Sequence, residues 1–485
     1  MTHLATLLDE GRRMLSQRPV PRALVREDTW VRAAGLLAAG DLTLLSVWGD
    51  AGQVHMALLE PDNHELGVLT LACADGRFPS VGLLHPPAIR LERAIHDLFG
   101  YEPVGLPDTR GWLDHADGTN YAFLPVEGEG LHQIPVGPVH AGIIEPGHFR
   151  FTCDGETVVR LEQRLGYVHK GVDELFAGAP LDQAARLACR VSGDSAVALS
   201  IGFARAIEAA AGIRPPPRAL WLRALMAEME RVANHLGDFG AICNDASFTI
   251  MLSHCAVLRE RMLRAAAAAF GHRLMMDRIV PGGVTVDLDA ENSAAIAALA
   301  GDIREKFAAL TKLYDETASL QDRTVGTGIL TPELARQYGA GGYVGRASGR
   351  VFDARKHPGY APYDSLIFDV PVLNEGDVNA RAWIRVREIG QSLNLIEQIL
   401  HAMPEGGTMG HLSLGSGEAL SLTEAFRGDV LVWLRVDQGN IDRCHIRDAS
   451  WFQWPLLEAV IEGNIVADFP LCNKSFNCSY SGHDL

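Results

Sequence analysis

The chain lacks several features that would place it quickly. Its eight cysteines stand at positions 73, 153, 189, 243, 255, 444, 472 and 478, and none forms a Cys-x-x-Cys pair. That spacing suits neither a zinc site nor an iron–sulfur cluster held by this chain. Free thiols in a reducing compartment are the simplest expectation. No apolar run reaches the ~18 residues of a membrane-spanning helix. The opening Met1-Thr-His-Leu-Ala-Thr-Leu-Leu-Asp-Glu has no basic stretch followed by an apolar one, so no secretory signal is expected. Positive charge is scarce: 43 Lys and Arg against 60 Asp and Glu leave a formal net charge of -17. That balance argues against a nucleic-acid partner, because many phosphates could not be neutralised. Internal repeats and low-complexity tracts are also missing.

The 485 residues, 47% hydrophobic and 21% charged, suit a globular protein of two or three domains. The fold class expected is α+β. Residues 1–125 read as a small α+β domain. Leu42–Trp48 and Val54–Leu59 are strand-like, and Ala88–Phe99 is an amphipathic helix stopped by Gly100. A Gly-rich linker over 126–135 marks the boundary, and 126–485 forms the second domain. There, Phe149–Val159 reads as a hairpin turning at Asp154-Gly155. Ala184–Ala211 reads as helical with interruptions at Gly193 and Gly202. Arg218–Asp238, a segment from Leu252, Ala294–Thr317 and Ala380–Met403 are long amphipathic patterns. Together they predict a central helical bundle with peripheral β elements.

Four clusters could carry chemistry. Val136–Arg150 is a tight loop holding His140, Glu145 and His148. Histidine beside a carboxylate can relay a proton, although alone a turn with satisfied polar side chains is the simpler reading. Gly166-Tyr167-Val-His169-Lys170-Gly171 is a second polar cluster. Leu187–Val197 places Arg190, Ser192, Asp194 and Ser195 inside an apolar helical pattern, facing a cavity or a close helix contact. Glu228, Arg231 and His235 share one helix face, which could equally be a solvated, ion-paired one.

In this order the clusters resemble one family: the large subunits of membrane-bound group 4 [NiFe]-hydrogenases of the formate hydrogenlyase type, and the 49-kDa-type subunit of complex I. Further matching pieces are Pro281-Gly-Gly-Val, Asp322-Arg-Thr-Val-Gly-Thr-Gly, Arg346-Ala-Ser-Gly with Asp353-x-Arg355, Glu424-Ala-x-Arg427 and Gly463-Asn-x-Val-x-Asp468. The leading domain resembles the family's 30-kDa-type subunit through Glu92-Arg93, Asp97-Leu-Phe-Gly100 and Leu106-Pro-Asp108-x-Arg110. The resemblance covers nearly the whole chain.

The departures matter as much. The family's hydrogenases hold nickel and iron with two cysteine pairs. Alignment places Ser192 and Ser195 at the first pair, and Asn477 and Tyr480 at the second. Hydroxyls and an amide are neutral where soft thiolates are required. No metal and no cofactor bound by this chain are therefore expected, and an active hydrogenase is the least favoured outcome. The chain also stops at Leu485, about where a matured subunit would. The resemblance implies a subunit in the peripheral arm of a complex I-like oxidoreductase. Its partners would be a small subunit carrying an iron–sulfur cluster and ion-translocating membrane subunits, on the cytoplasmic face of the membrane. The resemblance also allows a quinone in the vacated cavity, with Glu145 starting a proton path. The residues it points to are His140, Glu145, His148, Asp194 and Arg427 for chemistry, and Arg190, Ser192, Ser195, Asp245, Asn477 and Tyr480 for binding. Asp245 stands where an aspartate partners the quinone histidine. The competing expectation is a non-catalytic scaffold, favoured by the bulk of Phe426 and by Gly193 at the quinone tyrosine position.

Overall fold

The computed structural model of the protein describes residues 2–113, 121–140 and 144–485. Ala141, Gly142 and Ile143, in the middle of the His140–Glu145 loop, lie outside the described residues.

The leading sheet has five strands in the order Arg12–Arg13, Arg22–Val25, Leu66–Ala72, Gln53–Leu59, Thr43–Asp50. All pairings are antiparallel except Arg22–Val25 with Leu66–Ala72. The Ile89–Phe99 helix packs on it and ends at Gly100, whose φ of 68 is the left-handed stop that glycine accepts. Leu98, though apolar, is 42% exposed on this helix.

This part is stitched into the rest of the chain rather than hung from it. Gln17–Arg18 adds a parallel strand to the C-terminal sheet of Gly417–Ala425, Gly428–Asp437 and Asn440–Arg447. Ser46 Oγ lies 2.9 Å from His445 Nε2, and Arg447 Nε donates to Leu45 O at 2.6 Å. The stretch read as a linker is partly a strand: Leu131–Val136 pairs with His148–Asp154, which pairs with Thr157–Arg164. Backbone pairing along that edge overrides the local glycines.

The bundle forms as the periodicity predicts. Pro217–Asp245, Thr249–Phe270, Ala290–Glu316 and Val378–Ala402 pack on one another. Asp289 and Asp377 cap the third and fourth by accepting from Asn292 N and Ala380 N, each at 2.7 Å. Before them, Leu181–Ala188 ends, a loop turns through Ser192–Ser195, and Ala196–Ala211 begins. Gly202 does not interrupt that helix. A Cβ there would stand 3.0 Å from Val432 Cγ2, so the glycine admits the helix close against the C-terminal sheet. Among the described residues no single helix is long and apolar enough to cross a membrane.

Candidate active site

The Ser192–Ser195 turn meets the chain end and the Ala425–Gly428 hairpin. Arg427, 3% exposed, reaches across this junction. Its Nη1 donates to Asp194 Oδ1 at 2.8 Å and its Nη2 to Asp194 Oδ2. The same Nη1 lies 3.4 Å from Ser195 Oγ, and Nε donates to Asn477 O at 2.5 Å. Burial works to raise the Asp194 carboxyl, but the Arg427 guanidinium outweighs it and holds the group below the usual carboxylate range. The partnership drives the guanidinium further up.

From Asp194 a line of hydroxyls runs to the chain end. Ser192 Oγ donates to Asp194 Oδ1 at 2.8 Å, Ser192 Oγ and Ser479 Oγ stand 2.8 Å apart, and Gly482 N donates to Ser479 Oγ at 2.9 Å. Asn477 takes a left-handed φ of 47 to close the Phe469–Phe476 helix, which turns its amide toward the bundle. There Nδ2 donates to Asp238 Oδ1 at 2.8 Å, while Arg385 Nε approaches Asp238 Oδ2 at 3.3 Å. Tyr480 packs on Trp454 with ring centroids 4.8 Å apart, against Gly147, where a Cβ would meet its Cε1 at 2.6 Å. Burial raises its phenol strongly.

Ser192, Asp194, Ser195, Arg427 and Asn477 thus form one cluster, with Tyr480 beside it. Glu145 is at the surface, where it accepts from Ser481 Oγ and, at 3.3 Å, from Ser481 N. The two histidines serve their own loop. His140 Nε2 lies 2.7 Å from Gly147 O, and His148 Nδ1 lies 3.2 Å from Gly137 O with its ring on Phe123. Burial lowers the His148 imidazole. Arg190 points away, paired with exposed Asp277 at 2.6 and 2.7 Å. It sits at a helix end before the turn, so its side chain projects from the opposite side of the backbone. Asp245 is not in the cluster either. Burial raises its carboxyl, and Asn244 Nδ2 donates to it at 3.3 Å. Asp238, two turns or ~10 Å earlier on the same helix, makes the contact with Asn477 instead. It extends the face of Glu228, Arg231 and His235 by one further step of three residues, a spacing visible in the sequence.

That face is not solvated. Glu228, Arg231 and His235 are at most 1% exposed. Arg355 Nη1 donates to Glu228 at 3.0 Å, Tyr363 Oη and Ser392 Oγ donate to it at 2.6 Å, and His235 Nε2 meets Glu388 Oε2 at 2.8 Å. Arg346 binds Glu388 and Glu424. The separate Glu228, Arg346, Asp353 and Glu424 motifs converge into one buried ionic lattice behind the cluster.

The donor set does not fit a nickel–iron pair. The aligned positions present hydroxyls and an amide already engaged with protein groups. Cys478 Sγ instead faces Gln453 Oε1 at 4.0 Å, Cys189 Sγ faces Asp277 Oδ1 at 3.4 Å, and burial raises both thiols. Among the described residues no group of three or more His, Cys, Asp or Glu is arranged to hold a metal ion.

Comparison with known proteins agrees with these motifs. The family of the respiratory-chain NADH dehydrogenase 49 Kd subunit matches residues 245–413. Formate hydrogenlyase subunit 5 of Escherichia coli (strain K12) is 31% identical over 436 residues, covering 84% of this chain and 77% of that protein. The chain belongs to this family of hydrogenase large subunits and complex I 49-kDa subunits. As a hydrogenase-like, 49-kDa-type subunit, it is built as part of an oxidoreductase complex. An NADH-quinone oxidoreductase subunit of Desulfotalea psychrophila is 31% identical over 69% of this chain and 92% of its own length. A chain of the membrane-bound sulfane sulfur reductase, an archaeal respiratory membrane complex, superposes with a TM-score of 0.70. It is 26% identical and covers 75% of this chain and 100% of its own.

Proposed function

We propose that this hydrogenase-like subunit works without metal, in the peripheral arm of a complex I-like membrane oxidoreductase. An iron–sulfur small subunit brings electrons to the Asp194–Arg427 cluster, and ion-translocating membrane subunits lie below on the cytoplasmic face. The relatives' names, respiratory and membrane-bound, support the setting. The observation that carries the metal-free reading is the occupation of Arg427. Its guanidinium is committed to Asp194 and to the backbone of Asn477.

The electron acceptor in this reading is a quinone. The Asp194 side chain keeps 36% of its surface open, so a quinone oxygen can meet the Asp194–Arg427 pair there. Arg427 would stabilise charge developing on that oxygen. The Ser192–Ser479 hydroxyls are aligned to pass a proton to Asp194, and Glu145 with Ser481 provides a surface group from which it could enter. In the purified complex, Glu145→Gln and Asp194→Asn should each lower quinone-linked electron transfer at least tenfold while assembly persists. Unchanged turnover in both removes this role.

A second reading, a non-catalytic scaffold between a soluble partner and the membrane subunits, draws on how completely the site is satisfied internally. The side chains at all four former ligand positions pack on or bond to protein groups. It predicts assembly and ion coupling that survive Asp194→Asn.

A further inference from the structure

A cavity of about 590 Å³ lies where the leading sheet meets the stretch from Glu333 to Phe352. That volume is in the small-molecule range. Leu37, Leu42, Leu59, Leu334 and Phe352 give it apolar walls. Arg350 stands on the same lining. Its guanidinium lies 4.4 Å from the Phe352 ring centroid and donates to Ala340 O at 3.0 Å. It makes no ion pair among the described residues. Other arginines in the interior do: Arg223 with Glu208, Arg346 with Glu388, Arg447 with Asp429. Burial pushes Arg350 down to about 10 against the pull of Asp429 and Glu424, carboxylates that are themselves ion-paired with Arg447 and Arg346, and a largely desolvated cation outside any ion pair is costly.

His64 lines the cavity as well, held at a φ of 60 that non-glycine residues seldom adopt. Its ring stacks on His357 at 4.3 Å, and its Nδ1 is buried without a partner. Arg336 and Glu333, at the rim, neutralise each other at 3.2 Å. The cavity therefore presents one guanidinium outside any ion pair and one unsatisfied imidazole nitrogen beside apolar walls, in a protein of net charge -17. Strained backbone clusters at ligand-binding and active sites, and a buried polar atom without a partner calls for a ligand or other explanation.

We propose that this seam cavity binds one amphipathic anion, its carboxylate or phosphate head on Arg350 and His64 and its alkyl body along Leu37, Leu42, Leu59 and Phe352. The site is separate from the Asp194–Arg427 cluster, and the proposal stands whether or not that cluster transfers electrons.

The test is isothermal titration calorimetry of the full chain with four probes: decanoate, decyl phosphate, decan-1-ol and inorganic phosphate. Decanoate or decyl phosphate should bind one per chain, and the tighter of the two identifies the head group. Decan-1-ol and inorganic phosphate should bind at least tenfold more weakly. Arg350→Gln should weaken the anion at least tenfold. Ala39→Trp, at an exposed rim position outside the core, should block it and keeps the test valid if Arg350→Gln folds poorly. No saturable binding of either anion, decan-1-ol binding as tightly as decanoate, or unchanged affinity in Ala39→Trp overturns the proposal.

Discussion

Arg427 grips Asp194 with both terminal nitrogens while its Nε holds the backbone of Asn477, so one side chain ties the Ser192–Ser195 turn to the chain end. Three segments far apart in sequence meet through this residue. Replacing it leaves Asp194 without a counter-charge and frees the Asn477 carbonyl. Arg427→Ala should cost roughly 2–4 kcal/mol of stability, read as a shift in the urea midpoint of the full chain. Asp194→Ala strands a guanidinium whose side chain is only 4% exposed, whereas the Asp194 carboxylate is 36% exposed and can be hydrated, so Asp194→Ala should cost at least as much as Arg427→Ala.

The buried lattice gives a second expectation. Glu228 accepts from Arg355, Tyr363 and Ser392, all in the interior. Glu228→Gln keeps the shape but removes the charge that balances Arg355. A loss of about 3–5 kcal/mol is expected, as for half of a buried pair. A loss below about 1 kcal/mol would mean that water reaches this region.

Glu230 sets a pH dependence. Its carboxyl accepts from Val197 N and Ala198 N at 2.8 and 3.2 Å, yet burial pushes it up to about 8 from an ordinary 4.5. Between those values the folded chain keeps a proton that the unfolded chain has released. Stability therefore falls as pH rises through this window and levels off above about 8. Below the ordinary value both states are protonated and the contribution is fully present. Glu230→Gln removes this group's share, so the stability of wild type relative to the variant should drop by roughly 1 kcal/mol per pH unit between about pH 5 and 8. Denaturant titrations of both proteins at matched pH check this, and parallel curves would contradict it.

Gly147 tests the docking of the chain end. A Cβ there would stand 2.6 Å from Tyr480 Cε1 and 3.1 Å from Leu165 Cδ2. Gly147→Ala must push Tyr480 off Trp454, at a cost of about 1–3 kcal/mol. Tryptophan fluorescence should change with it.

All eight cysteines are buried. Native alkylation with iodoacetamide at about pH 8, near the ordinary thiol range, should therefore label none of them within the time that denatured chain is labelled at all eight. Early labelling of Cys478 would show that the chain end opens.

Much of this was legible in the sequence, for identifiable reasons. The bundle helices follow apolar spacing, and most of their ends lie within about four residues of it, but the Pro217–Asp245 helix runs about two turns past the expected end at Asp238. The coming together of Ser192, Ser195, Asn477 and Arg427 was implied by motif order. Side-chain direction was not. Arg190 and Ser192 are two residues apart, yet one pairs with surface Asp277 and the other with buried Ser479, because the backbone turns between them. Whether Glu228, Arg231 and His235 faced water or core depended on partners over a hundred residues away, which helical spacing cannot show. Leu131–Val136 became a strand through pairing with His148–Asp154, a contact hidden behind local glycines. Arg350 belonged to no cluster read from the sequence, since its significance lies in the ion pair it does not make.

The most direct test of the metal-free reading is nickel and iron analysis of the intact complex isolated from membranes, normalised to this chain. Nickel should be far below one per chain, with iron accounted for by the iron–sulfur partner. One nickel per chain, lost on Asn477→Ala or Ser192→Ala, would contradict the account.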